Sequence, residues 1–327
     1  MKWFIRLLLL LSLVVPALAQ TNWRWDDLEV VGPEPLPNKA EIWTLLDFKK
    51  GDKATPESFT DHFPDLVKEL ERKWPGGRFQ ASCLRFFGGK QYLVIDRFYP
   101  EFLPNPELRV QERSDLEVPE ELTTLAEQLS ARGQVLFESS IPPGETTQNG
   151  YKDYADPEMA RLAQELRRSV PQHRQFLLQV MTESNSPKER GTAAELLNWS
   201  EQHAHNLESC IQAMNDPSLW VRNNVTRYVL AFTKFYTEPS SRDHLVIALA
   251  QQMRQPDHAD RNKALYATLE LLKQWPEEAD LVEASAGLTI RRLAQQSILP
   301  NVGSVAQSIL DLLKQNSTEV TDLTPSH

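Results

Sequence analysis

Two cysteines, Cys83 and Cys210, are all that the 327 residues contain. Two, standing 127 positions apart, cannot make a disulfide framework, and each is read as a small buried apolar side chain. Basic residues are in deficit as well: 35 Lys and Arg face 45 Asp and Glu, a formal charge of −10. Such a chain is repelled by nucleic acid and anionic lipid, and no dense Lys/Arg run offsets this, so no nucleic-acid partner is expected. The chain has no H-E-x-x-H, G-x-S-x-G, P-loop or C-x-x-C, so none of the familiar catalytic signatures points to an enzyme or to a cofactor. The glycine pairs Gly76-Gly77 and Gly88-Gly89 bracket a strand-like run, and turn chemistry explains them better than phosphate binding.

Only one apolar run is long, and it stands at the N-terminus. In "MKWFIRLLLLLSLVVPALA" a basic start (Lys2, Arg6) precedes an apolar stretch from Leu7 to Val15 and an Ala17-Leu18-Ala19 end. That is the layout of a secretory signal over residues 1–19, cut before Gln20. The run is too short for a comfortable bilayer span, so no membrane insertion is expected. The mature chain is expected to be exported, to the bacterial periplasm or the extracellular space. Losing Lys2 and Arg6 with no acid takes the charge from −10 to −12.

Residues 20–39, "QTNWRWDDLEVVGPEPLPNK", read as a Pro-rich arm. Residues 40–140 then alternate in element type. "EIWTLLDF" (41–48) reads as a strand, and 56–74 as a helix with Phe63, Leu66, Val67 and Leu70 on one face. Residues 76–87 and 91–99 read as a hairpin across "GGK". Residues 118–133 read as a helix ending at Gly133, and "QVLFESS" (134–140) as a last strand. The order β-α-β-β-α-β predicts an α+β domain of ferredoxin-like type, four antiparallel strands backed by two helices. Residues 141–156 read as a linker.

The remainder is helical and periodic. Asp156-Pro157, Ser186-Pro187 and Asp216-Pro217 recur at spacings of 30, each a capping residue before a proline at the first helical position. Asp257 takes the capping role after a longer loop. Arg190, Arg222 and Arg261 each precede an apolar face: Ala193, Ala194 and Leu197, then Val225 and Val229, then Ala264, Leu265 and Leu269. Helix pairs recurring every 30–40 residues predict an all-α solenoid over 157–315, followed by a disordered tail, 316–327. The turn acids Asp216 and Asp257, Val221-Arg222 and the R-x-x-A-A-x-x-L of Arg190 to Leu197 resemble the HEAT-repeat family. The resemblance implies a hydrogen-bonded ladder between repeats that involves Arg190, Asp216, Arg222 and Arg261, and a surface that binds another protein. Asn224 and Val225 depart from the family's usual small pair.

Helix phase points to a place for that partner. With Val221, Val225 and Phe232 turned inward, Asn223 and Arg227 fall off the core face. Glu195, Asn262 and Tyr266 occupy matching positions in neighbouring repeats, giving a polar strip with one aromatic. The leading expectation is therefore a non-enzymatic interaction protein. The rival is an enzyme or small-ligand binder working at the sheet face near Arg85, Asp96 and Arg97. His203 and His205 are read as solvated junction residues rather than metal ligands. N-terminal sequencing of the native protein should begin at Gln20; a chain that retains Met1 overturns the exported reading.

Overall fold

The computed structural model describes residues 23–54, 63–86, 89–103, 114–148 and 150–321. The signal segment 1–19 therefore lies outside the described residues. Three strands form the N-terminal sheet: β1 (Arg24–Val31), β2 (Arg78–Phe86) and β3 (Lys90–Phe98), in the order β1-β3-β2. The expected hairpin is present as antiparallel β2 and β3, with Gly89 at φ 79° in its turn. β1 pairs with β3 in parallel.

That strand comes from the segment read as an arm, and two segments read as strands are helical. "EIWTLLDF" falls in and after a short helix, α1 (Lys39–Trp43), set by a capping box in which Asn38 accepts from the N–H of Ala40 and Glu41 reaches back to the N–H of Asn38. Residues 134–138 continue α3 (Glu120–Glu138), which runs straight through Gly133. Burying Leu136 repays the poor helix propensity of that glycine. Among the described residues the βαββαβ order is not found: the sheet has three strands and mixed direction, not four antiparallel ones. Of the helix read at 56–74, the part described is α2 (Phe63–Lys73), and 56–62 lie outside the described residues. The linker is a hairpin, β4 (Glu145–Gln148) with β5 (Tyr151–Tyr154). The tail up to Thr321 is helical, and 322–327 lie outside the described residues.

The sheet buries both faces. Leu28, Val30, Phe79, Leu93 and Ile95 form one core with Leu66 and Leu70 of α2 and with Trp23, Trp25 and Ile42. The alternate residues Val31 and Val94, with Leu84, Phe86 and Tyr92 packed beside them, join a larger core that continues through the helices to Leu313.

Eight α-helices run from Pro157 to Thr321 among the described residues. They are α4 (Pro157–Glu183), α5 (Pro187–Leu196), α6 (His203–Ala213), α7 (Leu219–Phe232), α8 (Pro239–Gln252), α9 (His258–Gln274), α10 (Ala279–Gln296) and α11 (Pro300–Thr321). Consecutive helices pack in pairs. The first members, α4, α6, α8 and α10, make one layer, and the second members, α5, α7, α9 and α11, make the other. Asp156, Ser186 and Asp257 cap α4, α5 and α9 as their sequence predicts. Asp216 does not cap in that way. Its carboxylate accepts the Ser218 N–H at 2.7 Å, and α7 starts two residues later than expected, at Leu219. Cys210 is buried between the layers, and Cys83 lies on β2; both thiols are free. Burial pushes the Cys83 thiol up to about 12 and Cys210 higher still, which leaves neither reactive as thiolate.

Between the layers stands a ladder of buried arginines. Arg190 grips Asp216 through Nε and Nη2 at 2.8 and 3.0 Å. Arg222 holds Asp260 with the same two nitrogens, both donating to Oδ2, at 3.0 and 2.8 Å; this acid lies three residues beyond the capping Asp257. The Nη1 of each donates to carbonyls five and six residues back: Ser184 and Asn185 for Arg190, Asp216 and Pro217 for Arg222. Each arginine thus fixes its own turn and ties it to the next helix pair. Arg261 leaves the stack: its Nη1 donates to Asp96 on β3. Asp96 is buried against the helices instead of facing a neighbouring strand across a wet sheet surface.

Removing one partner of a buried pair strands a charge, which costs about 3–5 kcal/mol. Arg222→Ala and Asp260→Ala should each lower the stability of the full chain by about that much in urea unfolding. The double variant should lose clearly less than the sum. Additive losses would show that the two side chains act separately.

His258, at the start of α9, gives a pH signature. It is buried with Nε2 at 3.2 Å from Asn301 Nδ2. Burial, aided by Arg261 and Lys263, depresses its pKa to about 3. A histidine held neutral in the fold contributes stability that is full above its unfolded pKa of about 6.5 and is lost as pH falls below it. The stability advantage of wild type over His258→Gln should therefore shrink by about 2 kcal/mol between pH 7 and pH 5. A pH-independent difference would mean that His258 does not titrate in this way.

Candidate functional site

α5, α7 and α9 lie side by side, so Glu195, Asn223, Arg227, Asn262 and Tyr266 come from adjacent helices as their phase predicts. None of the five is fully exposed; all are half-buried. The cover comes from the chain itself. At one end, the β4–β5 hairpin brings Glu145 and the buried Lys152, 3.2 Å apart, to the Glu195–Arg227 end of the strip. The hairpin is anchored there by the Trp199 indole, which donates to the Lys152 carbonyl at 3.0 Å. His203 anchors its turn. Nε2 bonds the Gly150 carbonyl at 2.6 Å, Nδ1 meets the Tyr228 hydroxyl at 2.7 Å, and the ring stacks 3.8 Å above Phe232. His203 is thus a buried structural residue, contrary to its reading as solvated, while His205 is exposed.

The hairpin end is a knot of charge. Lys152, Arg227 and Lys263 share it with Glu145 and Glu195. Burial raises the Glu195 carboxyl above its ordinary range, against the pull of Lys152 and Arg227. Burial also lowers the ammonium of Lys263, with help from Arg227, to about 8. Asp260 and Asp257 also act on Lys263, so the knot is a mixed cluster of buried charge rather than a cationic patch. Sequence reasoning missed Lys152 and Lys263, because the hairpin was read as linker and Lys263 sits next to the chosen Asn262.

The other end is different. Tyr266 lines a shallow cavity of ≈ 430 Å³ with Phe86, Lys90 and Tyr92 of the sheet and Pro300, Asn301 and Ser304 of α11. It is therefore remote in character from the charge knot, and the strip is not one uniform surface. Between the ends, the side-chain carbonyls of Asn223 and Asn262 are buried and have no hydrogen-bond partner.

Trp220 is the strip's missing aromatic. It stands three positions before Asn223 and seven before Arg227, on the same helical stripe. Its ring lies over Gly191 of α5, where a Cβ would come within 2.8 Å of it. Even so, Trp220 remains 41% exposed. The i, i+3, i+7 spacing was visible in "SLWVRNNVTR" and would have found it. The ladder residues Arg190, Asp216 and Arg222 are buried between helix pairs, Arg261 is buried against the sheet, and all four hold the fold.

Among the described residues no group of three His, Cys, Asp or Glu is placed to hold a metal ion, and no helix is long and apolar enough to cross a membrane. No protein-family model, curated protein or solved structure matches the chain.

Proposed function

We propose that the chain is an exported, non-enzymatic interaction protein whose helical stack, a HEAT-like solenoid, binds another protein along the α5–α7–α9 strip. What supports the solenoid reading is the paired, two-layer packing and the arginine ladder that steps from pair to pair. The observation that carries the binding reading is Trp220. A tryptophan seated on a glycine, half open to solvent and flanked by a cation and an amide on the same stripe, has the make-up of an interface anchor with a polar rim. The hairpin narrows the approach to this strip from one end and so limits the partner to a slender element.

Crosslinking pull-down with the full-length exported protein tests this. Trp220→Ala combined with Arg227→Glu should reduce capture of the partner by at least about tenfold, since an anchor tryptophan contributes 2 kcal/mol or more. Trp220 is 41% exposed while Arg227 is half-buried beside Glu145 and Glu195, so capture is compared at a temperature where the melting curve shows the variant folded. Undiminished capture by the folded variant would move the interface off the strip.

A further inference from the structure

The arginine ladder has one irregular rung. In Arg190 and Arg222 the Nε–Nη2 edge of the guanidinium holds a carboxylate, and Nη1 is left for backbone carbonyls. Arg242 follows the same rule, with Nε on Glu278 at 2.7 Å and Nη2 on Glu277 at 2.9 Å. Arg261 does not. Its Nη1 serves both Asp96 and the Gln255 carbonyl, while Nε and Nη2 are buried without a partner. Arg261 is 3% exposed, so this is a desolvated two-donor edge, a costly thing to leave unmade.

Arg261 also lines a cleft of ≈ 420 Å³ between the sheet and α10, a size that suits a small organic molecule. Arg97, Arg254 and Arg292 line it too, and Asp96 is the only acid among the described lining residues. Four guanidiniums against one carboxylate is a marked inversion in a chain of net charge −10. The remaining wall is largely apolar: Val31, Met253, Leu288 and Leu293 contribute to it, and Leu288 stands 69% exposed. Gly32 completes the lining where β1 ends. Its φ of 136° and its contact with the Arg97 carbonyl leave no room for a side chain.

We propose that this cleft binds a small organic carboxylate with an apolar body. Its carboxylate closes the Nε–Nη2 edge of Arg261, and its hydrocarbon lies against Met253, Leu288 and Leu293. The ligand thus supplies from outside the acid that the other rungs receive from the chain. Two coplanar N–H donors on one edge match a carboxylate in bidentate fashion. The neighbouring Asp96 carboxyl disfavours a phosphate dianion. Leu288, exposed at the mouth of the cleft, extends the apolar surface for the hydrocarbon, and Arg292 adds a cation at the margin. This site is independent of the protein-binding strip on α5, α7 and α9.

Octanoate is the probe, titrated calorimetrically into the full-length exported protein, with octan-1-ol and octyl phosphate as comparators. Octanoate should bind one to one and raise the melting temperature, and octan-1-ol should bind at least about tenfold more weakly. Arg292→Glu, at the half-buried margin of the cleft, and Arg261→Lys, which keeps the charge but removes the fork, should each weaken octanoate at least about tenfold. Arg168→Glu, an equal charge change on exposed α4, should not. Should Arg261→Lys fail to fold, Arg292→Glu decides alone. No binding of octanoate to the wild type, tighter binding of octyl phosphate, or unchanged octanoate binding in Arg292→Glu would each overturn the proposal.

Discussion

Asp96 is 2% exposed and sits in the second half of β3; the guanidinium it meets, Arg261, belongs to a helix 165 residues further on. Bringing two such charges out of water costs several kcal/mol each, and an apolar pair of similar volume would be as stable or more so. What the ion pair adds is register. Apolar faces slide over one another at little cost, whereas a carboxylate and a guanidinium buried a few ångströms out of place are both stranded. Glu29 and Gln80 repeat the device on the same sheet face. Glu29 Oε2 accepts from the Ser297 hydroxyl at 2.6 Å and the Ile298 N–H at 2.8 Å, just ahead of α11. Gln80 reaches Asp257, the cap of α9, at 3.3 Å. One strand residue from each of β1, β2 and β3 is thus pinned near a helix start, and the sheet has one place to sit.

That arrangement explains which parts of the fold could be read from sequence. The helices of the second half were legible because their starts carry local chemistry. Capping side chains and prolines act within one turn and need no tertiary partner. The β2–β3 hairpin was legible because two nine-residue runs rich in apolar and aromatic residues flank a Gly-Gly-Lys turn signal. β1 was not. In "RWDDLEVV" the buried Glu29 interrupts an apolar run, and its reason for being inside lies at residues 297–299. The strand-like apolar content of 41–48 and 134–138 was real, since Ile42 and Leu136 are buried, but short apolar runs do not distinguish strand from helix. At 39–43 the capping box decided the matter, and at 134–138 an already formed helix did.

The candidate surface was legible to the same degree. Helix phase placed Glu195, Asn223, Arg227, Asn262 and Tyr266 on neighbouring helices, and it could not know that a hairpin would lie over one end. That hairpin is held by Trp199 and His203, residues whose roles depend on partners 47 and 53 positions away. The covering matters to electrostatics more than to shape. On an open helix face Glu195 and Lys263 would titrate as ordinary solvated groups, while under the hairpin burial shifts both towards their neutral forms.

A boundary at residue 140 would make the N-terminal sheet a separate unit joined by a flexible segment, and the packing argues otherwise. Val31 and Val94 belong to the same continuous core as Ile309 and Leu313 at the far end of the chain. β1, at the start of the described residues, is bonded to the α10–α11 connection through Glu29 and through Gly32, whose N–H donates to Gln296 at 3.1 Å. A repeat stack open at its ends gains stability one neighbour at a time and can fray from a terminus. Here the last helix pair is clasped by the first strand, so fraying that end means breaking contacts of the sheet as well. The sheet in turn depends on those helices to cover Val31, Val94, Leu84 and Phe86, which would otherwise present a broad apolar face to water. The two halves therefore bury each other. The Arg261–Asp96 pair, whose charges are costly to take out of water, fixes the one docking in which both apolar faces disappear.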